Sequence, residues 1–241
     1  MDWSADGIIL GIRRHGESNA IVELLTEERG RHAGLVRGGR SRRMQAALQP
    51  GNTVRAVWRA RLEDHLGTYA VEPLVQRAAG LMATGAGLAA LNTLTAHCLL
   101  LAEREPHPRL FRLMDTLLAA IADDPEAAVA VIRFELALMD ELGFGLDLKQ
   151  CAATGTRDDL VYVSPKTGRA VSRAAGSPYH DRMLRLPGRL SPAEEGEWGA
   201  ADIRDGFALT EFFLNRHIYG PRGIAMPVGR EKLVAALVVP R

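Results

Sequence analysis

The sequence predicts an α+β chain: a five-stranded Greek-key barrel of the OB-fold type over residues 1–80, then an α-helical domain over residues 81–241 with an irregular insert at about 146–190. Three observations carry this. The first 80 residues hold five short β-branched or alternating runs, most of them separated by Gly, Asn or Pro. The apolar period then lengthens to that of a helix. Between Leu146 and Leu190 it is lost.

The strands are expected at Gly7–Arg13, Ala20–Thr26, His32–Arg37, Thr53–Leu62 and Thr68–Leu74, with a brief helical piece at Arg42–Leu48. Val54, Val57 and Leu62 break strict alternation, which admits a bulge in the fourth strand. Leu88, Leu91, Cys98, Leu99 and Ala102 mark a first long helix. Leu110, Leu113, Met114, Leu117, Leu118 and Ile121 recur at helical spacing and mark a second. "DDPEAAVAVIRFELALMDELG" is expected to start with a cap at Asp124 and Pro125 in its first turn, and to stop at Gly143. Apolar residues surround it, as in a central helix. "LVYVSPKTGRAVS" reads as a hairpin with a Pro-Lys-Thr-Gly turn. Helices return with "ADIRDGFALTEFFLNRHI" and "REKLVAAL".

Composition is that of an ordinary globular chain, 47% hydrophobic and 24% charged over 241 residues. The N-terminus lacks a basic segment followed by a long apolar one, so no signal peptide is expected. Ala78–Ala102 carries no formal charge, but Thr84, Asn92, Thr93, Thr95, His97 and three glycines dilute it. A buried helix is expected there, not a membrane span. Two cysteines, Cys98 and Cys151, make no disulfide framework, and a cytoplasmic location is expected.

Charge is segregated. From Arg29 to Leu62 there are nine arginines and no carboxylate, in a chain of net charge +1. Crowded like charges repel, and a polyanion would relieve the repulsion. A loop of solvated arginines is the plain alternative. Arg55, Arg59 and Arg61 share one face of the fourth strand by their odd spacing. Together with Arg31, Arg37, Arg40, Arg42 and Arg43 they form the expected nucleic-acid surface, and Gly38 and Gly39 would let the loop backbone approach a phosphate. Few aromatic residues accompany them, so the contact is expected to be mainly electrostatic.

Other chemistry finds little support. Arg14-His15-Gly16-Glu17 resembles the tetrapeptide of histidine phosphatases, but a second strand follows within a few residues and no second His-Gly motif appears. Cys151 could open a metal-binding pair, but Thr154 stands where the second thiolate would be. No dinucleotide, phosphate-loop or nucleophile motif is present. Neither a catalytic residue nor a metal or cofactor is expected.

"IRRHGESNAIVELLTEERGRHAGLVRGGRSRRMQAALQPG" resembles the N-terminal barrel of the RecO family of recombination mediators, with its turn before a strand, its Thr-x-Glu-x-Gly turn and its basic Gly-Arg-Ser loop ending in Leu-Gln-Pro. "VIRFELALMDELGFGLDLKQCAATG" resembles the family's central helix and the start of a zinc-ribbon-like insert, and "YVSPKTGRAVS" also fits. The resemblance covers most of the chain and is weak after about Leu190. It implies a non-enzymatic protein that binds and anneals single- and double-stranded DNA. Its implied partners are RecR and the tail of the single-strand binding protein SSB, and its implied role is to help load RecA in gap repair. It also implies an insert without zinc, since only Cys151 is kept of four cysteines. For the acidic SSB tail, Arg133 with Leu110, Phe111 and Met114 is the expected receptor. An RNA-binding OB-fold protein is the alternative that composition does not separate from this reading.

Overall fold

The computed structural model describes residues 1–121, 126–190 and 198–238. β1 (Asp2–His15), β2 (Asn19–Thr26), β3 (Gly30–Val36), β4 (Thr53–Arg59) and β5 (Thr68–Val75) form a closed barrel in the order β1-β2-β3-β5-β4. β1 is twice the expected length because it serves two neighbours. Asp2–Ile8 pairs with β4, while Gly7–His15 pairs with β2 past an irregularity at Ile9–Gly11. The seam between β3 and β5 is parallel and only two residue pairs long. Strand alternation decides what faces inward. Ala20, Val22 and Leu24 of β2 meet Val54, Ala56 and Trp58 of β4 and Tyr69 of β5 in one apolar core. The irregularity of β4 falls at Thr53–Val54, and the strand ends at Arg59, short of Arg61.

The chain forms two compact units, Met1–Asp124 with Pro227–Leu233, and Pro125–Met226 with Val234–Arg241. The first unit adds to the barrel α1 (Arg42–Ala47), α2 (Ala78–Met82), α3 (Gly85–Cys98) and α4 (Pro108–Ala120). Arg77 ties these helices to the strands. Its guanidinium donates to the Gly51 carbonyl at 2.8 Å and to the Thr53 hydroxyl, and it pairs with Asp115 on α4 at 2.6 Å. Asn52 Oδ1 accepts the Ala78 N–H at 2.9 Å, starting α2.

The second unit holds α5 (Ala127–Glu141), β6 (Leu160–Val163), β7 (Ala170–Ser172), α6 (Arg173–Gly176), β8 (Leu184–Arg185) and α7 (Ala200–Leu214), which runs into a π-helical turn at Asn215–Tyr219. α5 stops where Gly143 adopts φ +82°. The expected cap at Asp124 and Pro125 lies outside the described residues. α5 is apolar almost all round, and its one enclosed acid, Glu135, accepts a hydrogen bond from Thr210 of α7 at 2.5 Å. α8 (Val228–Val238) is the last of the described helices, its residues up to Leu233 counted with the first unit.

The fold class expected from the sequence is therefore corrected. An OB-fold barrel standing apart from an α-helical domain with a hairpin insert does not describe this α/β chain. The helices up to residue 120 share a compact unit with the barrel strands, and Arg77 bonds across the 80-residue boundary to Asp115. The second unit is not purely helical. Its insert is a three-stranded sheet ordered β7-β6-β8, since β8 pairs Arg185 with Tyr162 and Leu184 with Val163.

Candidate nucleic-acid interface

β1, β2 and β3 run as a meander, and register aligns Arg14 with Ala20 and Ala20 with Val36. The β1–β2 hairpin tip and the loop after β3 therefore lie at one end of the barrel. Gly16 (φ +61°) turns the hairpin and Gly38 (φ +63°) turns the loop. Gly39 is buried, and a Cβ there would stand 2.9 Å from the Ala20 Cβ, so this glycine packs the loop onto β2.

Arg40 joins the two turns. Its N–H donates to the Ser18 carbonyl at 3.0 Å, and its guanidinium donates to the carbonyls of Glu17 at 2.6 Å and Gly16 at 3.2 Å. Asn19 Oδ1 accepts the Gly38 N–H at 3.1 Å from the other side. α1 begins on this latched loop, and Arg42 and Arg43 occupy its first turn with no acid beside them. Cations at that end oppose the helix dipole, so helix stability does not explain them. Both are exposed, as is Arg37.

Arg13 and Arg14, exposed at the end of β1, complete the cluster. They lie outside the surface expected from the sequence, and it is the β1–β2 pairing of Arg14 with Ala20 and of Arg13 with Ile21 that brings them beside the loop. Six arginines thus share this end with one exposed acid, Glu17.

The other expected arginines stand elsewhere. Arg55 and Arg59 do share the outer face of β4, but β1 and β5 bring acids to it. Register sets Asp6 and Glu72 on either side of Arg55, and Asp2 beside Arg59. Arg55 grips Asp6 with two bonds of 2.8 and 3.1 Å, and that hydrogen bond raises the guanidinium above its ordinary pKa. Arg31 is half-buried, ion-paired with Glu23 and Glu103, and donates to the Leu101 carbonyl at 2.8 Å. Arg61 is exposed beyond the end of β4. Trp58 and Tyr69 belong to the core, and half-buried Trp3 stacks on Trp58 at 5.8 Å.

His15 is the last residue of β1, exposed in the hairpin. A second strand, β2, follows it from Asn19. In the second unit the lone Cys151 is buried. Its sulfur accepts the Ser172 N–H at 3.3 Å, its own N–H donates to the Thr156 carbonyl at 2.7 Å, and Ala152 N–H donates to Ala170. Burial pushes the thiol up, but hydrogen bonds from Ser172, Thr154 and the Ala153 backbone outweigh it and bring the pKa down to about 6. Hydrogen bonds tie the insert around this sulfur, and a single sulfur does not fit a zinc ion, which takes four ligands. Among the described residues no group of three or more His, Cys, Asp or Glu is placed to hold an ion.

Of the four residues expected to receive an acidic tail, Leu110 and Met114 are fully enclosed. Phe111 is half-buried in a cleft that Asp6, Glu27 and Glu28 also line. Arg133 is exposed on α5. No helix among the described residues is long and apolar enough to cross a membrane.

Residues 1–76 match the family model for the N-terminal part of recombination protein O, and residues 83–223 match the model for its C-terminal part. The chain is 53% identical over 239 residues to the DNA repair protein RecO of Chelativorans sp. (strain BNC1), covering 99% of this chain and 96% of that one. It is 53% identical over 238 residues to the protein of the same name from Bradyrhizobium sp. (strain ORS 278), covering 98% and 96%. Against that of Mesorhizobium japonicum the identity is 52% over 237 residues, covering 98% and 94%.

Proposed function

This chain belongs to the RecO family of DNA repair proteins, and from that membership we propose a non-enzymatic DNA-binding recombination mediator. In this reading it binds and anneals DNA and helps load RecA onto SSB-coated single strands in gap repair. The observation that carries the reading is the latched arginine cluster at the β1–β2 tip and α1. Arg37, Arg42 and Arg43 are exposed, and no carboxylate among the described residues pairs with them. A phosphate backbone would neutralise the cluster and release its counterions. Neutralising phosphates on one strand also lowers the repulsion against a complementary strand, which is the physical requirement of annealing. Arg61 is a peripheral candidate. Arg31, Arg55 and Arg59 contribute less, because their charge is matched or flanked by acids.

RecR and the SSB tail are the protein partners of this reading, with Arg133 as the cation for the tail carboxylate. Fluorescence anisotropy with single-stranded DNA, duplex DNA and RNA of one length tests the nucleic-acid contact. DNA binding that survives neutralisation of Arg37, Arg42 and Arg43 removes the cluster from it. Equal or tighter RNA binding favours the RNA alternative. An Arg133→Ala variant is expected to lose an SSB-tail peptide while keeping bare single strands. Peptide affinity unchanged to within about twofold, less than roughly 0.5 kcal/mol, removes Arg133 from that role.

A further inference from the structure

Beside the arginine cluster lies a cleft of about 420 Å³ between the end of β1 and α1. That is within the range of about 300–1,000 Å³ that ligand clefts occupy. Its chemistry is not that of a phosphate site alone. Ile12, Leu48 and Pro50 supply an apolar wall, and Gln45 and Gln49 add two carboxamides. Each carboxamide already gives one N–H to the backbone, Gln45 to the Arg40 carbonyl at 2.9 Å and Gln49 to the Gln45 carbonyl at 2.7 Å. These bonds fix the amides in place and leave the oxygen and second N–H of each for another partner. Arg14 stands in the same cleft, and Arg42 and Arg43 follow directly on its Arg40 wall.

An apolar face beside a fixed donor–acceptor pair, with cations next to it, matches a flat heterocycle attached to a phosphodiester. We infer that this cleft takes one unstacked nucleobase of a single strand, its face against Ile12, Leu48 and Pro50 and its edge toward Gln45 and Gln49. The inference rests on the nucleic-acid reading above and adds a consequence to it. In a duplex the base faces are stacked and the pairing edges occupied, so a paired base has no free face for the apolar wall. The cleft therefore favours single strands over duplex. It holds no aromatic platform, so the base should add only modestly to an affinity set mainly by the phosphates.

The test uses the unmodified protein. An oligothymidine of about twelve nucleotides, within the span that barrels of this size bind, is titrated beside an abasic strand with the same number of phosphates, at several salt concentrations. The abasic strand is expected to bind at least about threefold more weakly, roughly 0.6 kcal/mol, with the same salt slope. Oligothymidine carrying 4-thiothymidine is expected to photocrosslink to peptides containing residues 12–14 or 45–50. Equal affinity for the two strands, or crosslinks confined to other peptides, overturns the inference. The two readings fail separately. If neutralising Arg42 and Arg43 leaves oligothymidine binding untouched, the basic-cluster reading is wrong. If those arginines matter and the abasic strand binds equally well, only the base cleft is wrong.

Discussion

Removing charge at α1 and removing it on β4 should have different consequences, although the sequence presents both as parts of one basic run. Consider Arg42→Gln with Arg43→Gln, against Arg55→Gln with Asp6→Asn. Arg42 and Arg43 are exposed in the first turn of α1 with no acid nearby in that turn. If each neutralises one phosphate of a single strand, each contributes about 0.7 to the slope of log affinity against log salt. Losing both lowers the slope by about 1.4. The electrostatic term vanishes near 1 M salt, so one decade below that the loss is about 1.4 log units, roughly 25-fold or about 1.9 kcal/mol. Arg55 already holds Asp6 through two bonds. A phosphate would have to displace that carboxylate, and deleting the pair leaves the local charge unchanged. The β4 double variant should therefore bind within about twofold of wild type with the same slope, and both variants should melt near wild type, since such surface changes cost about 0.5 kcal/mol or less. Anisotropy titrations across a series of salt concentrations measure slope and affinity together. An unchanged slope in the α1 variant refutes the reasoning, as does a tenfold loss in the β4 variant.

The remaining predictions concern stability. Burial, helped by the Arg104 charge, pushes the His32 imidazole down to about 4. Its folded value lies below its unfolded one, so its contribution is complete above about pH 6.5 and is lost as pH falls toward 4, by at most about 3 kcal/mol. Urea unfolding at several pH values should show that decline in wild type and a flatter profile in His32→Gln; equal declines would assign the acid sensitivity to other groups. Thr210→Val removes the hydroxyl that donates to buried Glu135 and should cost about 1–3 kcal/mol, and an unchanged denaturation midpoint would show the bond to be dispensable. The insert is closed by hydrogen bonds around Cys151, so a chelator should leave the melting temperature unchanged, and elemental analysis finding about one zinc per chain would contradict this.

Features fixed by local chemistry were legible in the sequence. The shared face of Arg55 and Arg59 on the fourth strand was legible from their spacing, and the opposite face of that strand, Val54, Ala56 and Trp58, joins Ala20, Val22 and Leu24 in the barrel core. The stop at Gly143 follows from a residue that adopts φ +82° without strain. What the sequence hid depends on pairing between distant positions. Asp2 and Asp6 lie in a stretch that looks unrelated to the arginine run, yet register sets them beside Arg59 and Arg55. Glu103 lies far from Arg31 in the chain and within 3.6 Å of it in space. No periodicity announces such partners. The third strand of the insert is equally quiet, because Leu184–Arg185 is two residues long and owes its strand character to β6.

The same distinction explains why the binding surface is smaller than the run of nine arginines and also extends beyond it. A charge acts on a ligand according to what surrounds it in space, and the barrel sorts these arginines by strand. Those on β3 and β4 face neighbouring strands, where a carboxylate is one pairing partner away, and Arg31 and Arg55 are matched there. Those beyond the last pair of β3 have only the β1–β2 tip for company. That tip offers backbone carbonyls to Arg40, one acid, and two further arginines. Carbonyls orient a guanidinium without cancelling its charge. The latch therefore holds Arg42 and Arg43 on a fixed loop while leaving the cluster positive, so less ordering of the loop remains to be done when a strand binds.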